Sequence, residues 1–290
     1  MFRGSITALV TPFKNGKIEQ GHFKDIIEWQ IENGTDGIVP CGSTGESATL
    51  DYKEHKEAIG LAVKIANGRV KVIAGTGSNS TTEAIELTSA AKDLGADGAL
   101  LLAPYYNKPT QEGTYLHFMA IADAVEIPQI IYNVPSRTAL NILPDTVARL
   151  AKHENIVGIK EATGSVEQAL HVINLCPKDF LLLSGDDAIN WPLLAIGSAG
   201  SISVTANVVP KKMSEMHTLF FDGKTAESLK IHYELLELHK VMFIETNPIP
   251  VKSALAMMGR VNDEFRLPLT PVSDGARKIL EKALRDYKLL

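Results

Sequence analysis

Short apolar runs rich in valine, isoleucine and leucine recur along the chain and alternate with segments of helical period. The runs occupy residues 4–10, 36–41, 71–75, 97–103, 128–132, 156–160, 180–184 and 200–204, eight in all. Most are continuously apolar rather than alternating, the pattern of parallel strands covered on both faces. Between them lie amphipathic stretches. In residues 51–66, Ala58, Leu61, Ala62, Ile65 and Ala66 recur at helical spacing, opposite Lys53, Glu54, Lys56 and Glu57. The phrase NGTDGIV (33–39) returns as LGADGAL (94–100) and, more loosely, as IGSAGSI (196–202). Each copy predicts a helix stopped by glycine, a short turn and a strand. Alternating strands and helices with eight strands predict the α/β class and a closed (β/α)8 TIM barrel, favoured by the strand count over a six-stranded open sheet. After about residue 222 the strand pattern stops. Residues 225–243, 249–259 and 274–290 are helical in pattern. The expected organisation is a catalytic barrel over 1–222 and a C-terminal helical domain over 223–290.

Composition narrows the partners. The 290 residues are 45% hydrophobic and 22% charged, and the net charge of −5 disfavours duplex nucleic acid or an anionic membrane as main partner. No stretch approaches the roughly 20 apolar residues of a membrane span. The N-terminal MFRGSITALVTPF lacks the long apolar core of a signal peptide. Two cysteines, Cys41 and Cys176, are too few for a disulfide framework, so a reducing, cytoplasmic setting is expected.

In a barrel of this kind the active site lies at the carboxyl ends of the strands. The eight runs lead there to Thr11-Pro12, GSTGES (42–47), GTGSNS (75–80), PYYN (104–107), Tyr132 with NVPSRT (133–138), Lys160, SGDD (184–187) and SVTAN (203–207). This rim is rich in hydroxyls and has no histidine or cysteine ligand cluster. Lys160, ending IVGIK, either reaches solvent or is used. A free lysine has a pKa near ~10.4, so only about one in 2,500 is neutral at pH 7. An apolar strand end desolvates the ammonium, lowers that pKa and makes a Schiff-base former. Gly158 is expected to leave room beside it. Tyr132 ends the preceding strand and is either a core aromatic or a proton carrier, helped by a chain of hydroxyls from Ser43, Thr44 and Tyr106. GSTGES could cradle a phosphate or a carboxylate, and Gly75-Thr76-Gly77 reads as a tight turn. Arg137 is a solvated loop residue or a carboxylate clamp. Asp186-Asp187 reads as a helix N-cap and first turn rather than a metal site. Cys41 reads as a small buried residue.

Together CGSTGES, PYYNKPTQEG, YNVPSRT, GIKEATG, SGDD and ISVTAN resemble the dihydrodipicolinate synthase family of pyruvate-dependent class I aldolases, over essentially the whole chain. The resemblance implies condensation of pyruvate with L-aspartate 4-semialdehyde in lysine and diaminopimelate biosynthesis, without metal or organic cofactor. It implies that Lys160 forms a Schiff base with pyruvate and that Tyr132 transfers protons. Ser43 and Tyr106 would relay them, Tyr106 from a neighbouring subunit of a homotetramer built as a dimer of dimers. Thr44, Ile202 and Gly185 would hold substrate, and Arg137 the carboxylate of the semialdehyde. Ser47, Ala48, His55, Asn79, Glu83 and Tyr105 match a site for the feedback inhibitor L-lysine in the family. Glu83 would pair there with the ligand's ammonium and His55 with its side-chain end. Ser43 stands where the family usually has threonine. It keeps the hydroxyl and loses the methyl that fixes χ1. The rival readings are a sister lyase for N-acetylneuraminate or 2-keto-3-deoxy sugar acids, a phosphate-binding barrel isomerase, and a non-catalytic pyruvate sensor.

Overall fold

The structure, a computed structural model, describes residues 2–290. Eight parallel strands close into a barrel: β1 Gly4–Ala8, β2 Gly37–Val39, β3 Lys71–Gly75, β4 Gly98–Leu102, β5 Gln129–Asn133, β6 Ile156–Glu161, β7 Leu181–Ser184 and β8 Gly200–Ser203. Each pairs with its neighbours in sequence, and β8 closes on β1 through Ile6 opposite Ile202. The expected (β/α)8 architecture is borne out, with each of the eight apolar runs overlapping one strand. Beyond the expectation, residues 13–18 form a two-stranded hairpin and Pro135–Thr138 a single helical turn.

The outer helices are α1 Gln20–Glu32, α2 Tyr52–Ala66, α3 Thr81–Asp93, α4 Gln111–Ala124, α5 Pro144–Leu150, α6 Val166–Leu175, α7 Asn190–Ala195 and α8 Pro210–Phe221. Their starts are written in the sequence. Asp51 and Glu54 form a reciprocal capping box at α2, and Ser80 and Ser165 cap α3 and α6. All three repeated phrases place a positive-φ glycine just after a helix: Gly34 follows α1, Gly95 follows α3 and Gly197 follows α7. In the first two copies the aspartate ties the new strand to its neighbour. Asp36 accepts the backbone N–H of Ser5, and Asp97 that of Val72.

The barrel interior is filled by Ile6, Val39, Ile73, Leu100, Ile130, Leu183 and Ile202, with Phe2 at the amino-terminal end. Beyond the barrel helices come α9 Thr225–Val241, α10 Ile249–Met257 and α11 Asp274–Asp286. They share one continuous apolar cluster with the barrel. Leu235, Leu238, Val251 and Leu280 pack with Phe23, Ile27, Ile59 and Met213. This sharing brings α9 and the segment before α10 over the carboxyl ends of the strands.

Candidate active site

Lys160 lies near the end of β6, where strand register sets it opposite Tyr132 of β5 and Leu183 of β7. Only 5% of the lysine is exposed, and its Nζ sits 4.3 Å from the centre of the Tyr132 ring. Burial lowers its pKa to about 7; the carboxylate of Asp187 pulls it back up, and the Arg137 guanidinium pushes it further down. At neutral pH a large fraction of the amine is therefore unprotonated and nucleophilic. Burial also pushes the Tyr132 hydroxyl up to about 12, so it keeps its proton at neutral pH.

The space beside Lys160 comes from another glycine than the one expected. A Cβ at Gly158 would lie 2.6 Å from the Leu181 carbonyl oxygen, so that glycine admits strand β7 rather than the lysine. A Cβ at Gly185 would lie 2.8 Å from Lys160 Cε and 2.8 Å from Ala162 Cβ. Gly185 is thus the position whose missing side chain the lysine occupies.

A cavity of about 540 Å³ opens above Lys160. Tyr132, Ser43, Thr44, Arg137 and Gly185 line it with Lys160, as do His239, Phe243 and Asn247 from the C-terminal helices and the turn after them. Ser43 and Thr44 belong to a 3-10 turn over Ser43–Gly45. Arg137 is carried by the turn Pro135–Thr138 and donates from Nη2 to the Asn247 carbonyl at 2.7 Å. Ile202 lies in β8 with its side chain in the barrel core, below the cavity wall. Tyr106 is 90% exposed and is not part of this cavity within its own chain.

The two adjacent aspartates divide their work. Asp186 accepts from the Ala188 N–H, capping the turn Asp187–Ile189. Asp187 is buried and accepts from the Val204 and Thr205 N–H groups at 3.0 and 2.8 Å and from the Asn190 amide at 3.0 Å. Burial opposes its charge, but His239 and hydrogen bonds from Ser203, Thr205 and Asn190 hold its carboxyl below the usual range. It supplies a fixed negative charge near Lys160 while pinning the loop after β8. Gly75 and Gly77 serve close backbone approach, since Cβ atoms there would lie 2.2 Å from the Cys41 carbonyl and 2.1 Å from the Leu102 nitrogen. Cys41 is buried, and burial pushes its thiol pKa far up.

A second cavity, about 590 Å³, adjoins the first and shares Ser43, Arg137 and Asn247 with it. Ser47, Ala48, His55, Glu83 and Tyr105 line it. Asn79 does not, but donates to the Tyr105 carbonyl at 3.2 Å. Glu83 accepts from Ser78. His55 is buried rather than on an open helix face, and its Nε2 is held 2.7 Å from the Gly75 carbonyl. Burial lowers its pKa, so the ring is a neutral donor to that carbonyl.

Sequence reasoning missed a buried ion pair beneath this wall. Glu46 has a left-handed backbone (φ 54°), and its carboxylate lies 2.5 Å from Lys252 Nζ of α10, with both side chains fully buried. The ammonium also stacks on the Phe13 and Phe265 rings at 4.1 and 5.0 Å. The available signal was a lone lysine inside the apolar helical run IPVKSALAMM, which must find a partner if buried.

A desolvated lysine at the mouth of a (β/α)8 barrel, beside a tyrosine and a hydroxyl-rich loop, defines an enzyme site of the amine-nucleophile class. Comparison with known proteins specifies it. The sequence profile described as the Dihydrodipicolinate synthetase family matches residues 1–287. The 4-hydroxy-tetrahydrodipicolinate synthase of Geotalea uraniireducens is 57% identical over 290 residues, covering all of both chains. The dihydrodipicolinate synthase of Acinetobacter baumannii, solved in complex with pyruvate, superposes with a TM-score of 0.98 at 48% identity over all of both chains. The enzyme of Cyanidioschyzon merolae, solved with lysine bound, superposes with a TM-score of 0.97 at 41% identity, over 100% of this chain and 99% of that one. The chain belongs to the dihydrodipicolinate synthetase family.

Proposed function

We propose that the protein is a lyase of the class I aldolase type that condenses pyruvate with L-aspartate 4-semialdehyde to 4-hydroxy-tetrahydrodipicolinate, in the lysine and diaminopimelate route. The observation that carries the reading is the burial of Lys160, with its pKa near 7, facing Tyr132 across the β5–β6 register. The neutral Lys160 amine attacks the keto carbon of pyruvate, and water leaves as the imine forms. Loss of a proton from the methyl carbon gives an enamine, whose carbon attacks the aldehyde. The semialdehyde's own amine then displaces Lys160 and closes the ring. Tyr132 passes protons at these steps, relayed through Ser43 and through Tyr106 of a neighbouring subunit. Thr44, Gly185 and the backbone at Ile202 hold pyruvate, and Arg137 takes the second carboxylate. No organic cofactor or metal is needed for this sequence, since the imine itself is the electron sink.

The active form in this reading is a cytoplasmic homotetramer, a dimer of dimers. The exposure of Tyr106 supports it, because a tyrosine serving a neighbour's cavity is bare in an isolated chain. Residues 1–222 form the catalytic barrel and 223–290 a helical domain that helps roof it. The second cavity takes L-lysine as a feedback inhibitor, its ammonium at Glu83; the lysine-bound relative supports this. The test is turnover with aspartate semialdehyde against N-acetylneuraminate and 2-keto-3-deoxy sugar acids. The expected result is activity on the semialdehyde alone, with Arg137→Ala raising its KM. Preference for a sugar acid would assign the chain to a sister activity.

A further inference from the structure

Asn247 stands in the turn between α9 and α10, and its side chain is almost completely buried. Its Nδ2 donates to Thr44 Oγ1 at 3.0 Å, while its backbone carbonyl accepts from Arg137 Nη2 at 2.7 Å. It also forms part of the wall common to both cavities. We propose that Asn247 is a positioning residue for the reaction: its side-chain amide fixes the Thr44 hydroxyl as a donor toward pyruvate, and its backbone carbonyl fixes the Arg137 fork toward the second substrate.

The argument begins with the donor count. A threonine hydroxyl has one proton to give and lone pairs to receive. Because Asn247 Nδ2 fills the accepting side of Thr44 Oγ1, the Thr44 proton is left for another acceptor. An acceptor suited to it is the carboxylate of a bound 2-keto acid, since Asn247 Oδ1, though unpartnered, belongs to the amide that already donates to this hydroxyl. Thr44 is itself buried, so a hydroxyl with no such partner would pick its own rotamer and lose this direction.

The loop needs holding from outside. Residues 42–49 run through two successive 3-10 turns joined at Glu46, whose left-handed backbone is uncommon for a residue with a side chain. The α10 segment grips this loop twice, at Thr44 through Asn247 and at Glu46 through Lys252. The second grip carries charge and sets the position; the first sets the hydroxyl's direction. The segment before α10 thereby acts on the chemistry through Thr44 and Arg137.

The inference rests on the proposed pyruvate reaction, and the experiment separates the two. Asn247→Ala removes the amide but keeps the backbone carbonyl that Arg137 uses. The pyruvate KM should rise about 3- to 10-fold, the loss of one neutral hydrogen bond. The semialdehyde KM and kcat should stay within about twofold. On a Thr44→Val background the Asn247→Ala penalty on pyruvate KM should vanish, because the hydroxyl it acts through is gone. Thermal unfolding confirms that each variant is folded. Should the alanine variant precipitate, Asn247→Asp keeps the shape and enters the same cycle. An aspartate draws the Thr44 proton to itself, so its penalty should also collapse on the Thr44→Val background, whereas simple repulsion of pyruvate would persist there. An unchanged pyruvate KM in folded Asn247→Ala, or a penalty that adds in full to that of Thr44→Val, overturns the inference while leaving the pyruvate reaction standing. Absence of any borohydride-trapped pyruvate on wild-type Lys160 overturns the underlying reading instead.

Discussion

Replacing Gly185 by alanine puts a methyl carbon where the Lys160 side chain already is. The new Cβ would lie 2.8 Å from Lys160 Cε, 3.0 Å from Lys160 Cγ and 2.8 Å from Ala162 Cβ. Carbon pairs settle at about 3.5–4.0 Å, so each contact is short by roughly 0.5–1 Å. Ala162 is fixed to the backbone just after β6 and cannot turn aside. The lysine is the part that can move, by something near that distance. Overpacking of a closed site costs about 1–3 kcal/mol, and in a chain of this size each kcal/mol lowers Tm by about 2–4 °C. The effect on catalysis is larger, because a misplacement of about 1 Å can cost 10²-fold in rate. The expected result is a protein that folds with Tm lowered by about 2–12 °C and forms the pyruvate adduct about 10²-fold more slowly. Stopped-flow mixing with pyruvate and borohydride quench measures the second quantity, and calorimetry the first. A Gly185→Ala protein that traps pyruvate at the wild-type rate would refute the packing argument, whatever its Tm.

The lysine's pKa makes a pH prediction with a definite sign. The neutral amine attacks, so adduct formation should rise as pH passes about 7 and level off above it. The Arg137 cation disfavours the ammonium, so Arg137→Ala should raise the lysine's pKa and move that limb to higher pH. A limb that stays put or moves down would show that Arg137 does not sense the lysine. The buried Glu46–Lys252 pair predicts a third outcome. Lys252→Met leaves an uncompensated buried carboxylate and should cost about 3–5 kcal/mol, whereas Lys252→Met with Glu46→Leu should recover most of it. Denaturant unfolding of the two variants decides, and equal losses would mean that the packing rather than the charge was at fault.

The parts of this molecule that follow from local pattern were legible in the sequence. Strands covered on both faces read as continuous apolar runs, so all eight could be counted and their order fixed. That order alone placed Tyr132 beside Lys160, because neighbouring parallel strands share a rim. Helix starts and stops were legible for the same reason, since caps such as Asp186 and Gly95 act within a turn of their element. What escaped was long-range partnering. Lys252 and Glu46 are 206 residues apart, and nothing in either neighbourhood names the other. Gly158 drew attention because it shares a strand with Lys160, whereas the open space comes from Gly185 after β7, a matter of cross-strand packing rather than spacing. Asn247 carries no periodic signal; its importance lies in two hydrogen bonds to loops distant in the chain.

The central claim is that Lys160 is the amine that takes up pyruvate. Incubation with pyruvate, reduction with borohydride and peptide mass spectrometry test it directly. The account predicts one reduced pyruvate adduct, on Lys160, formed faster as pH rises through about 7 and absent in Lys160→Arg. An unmodified Lys160 at saturating pyruvate, or an adduct on another lysine that survives Lys160→Arg, would contradict it.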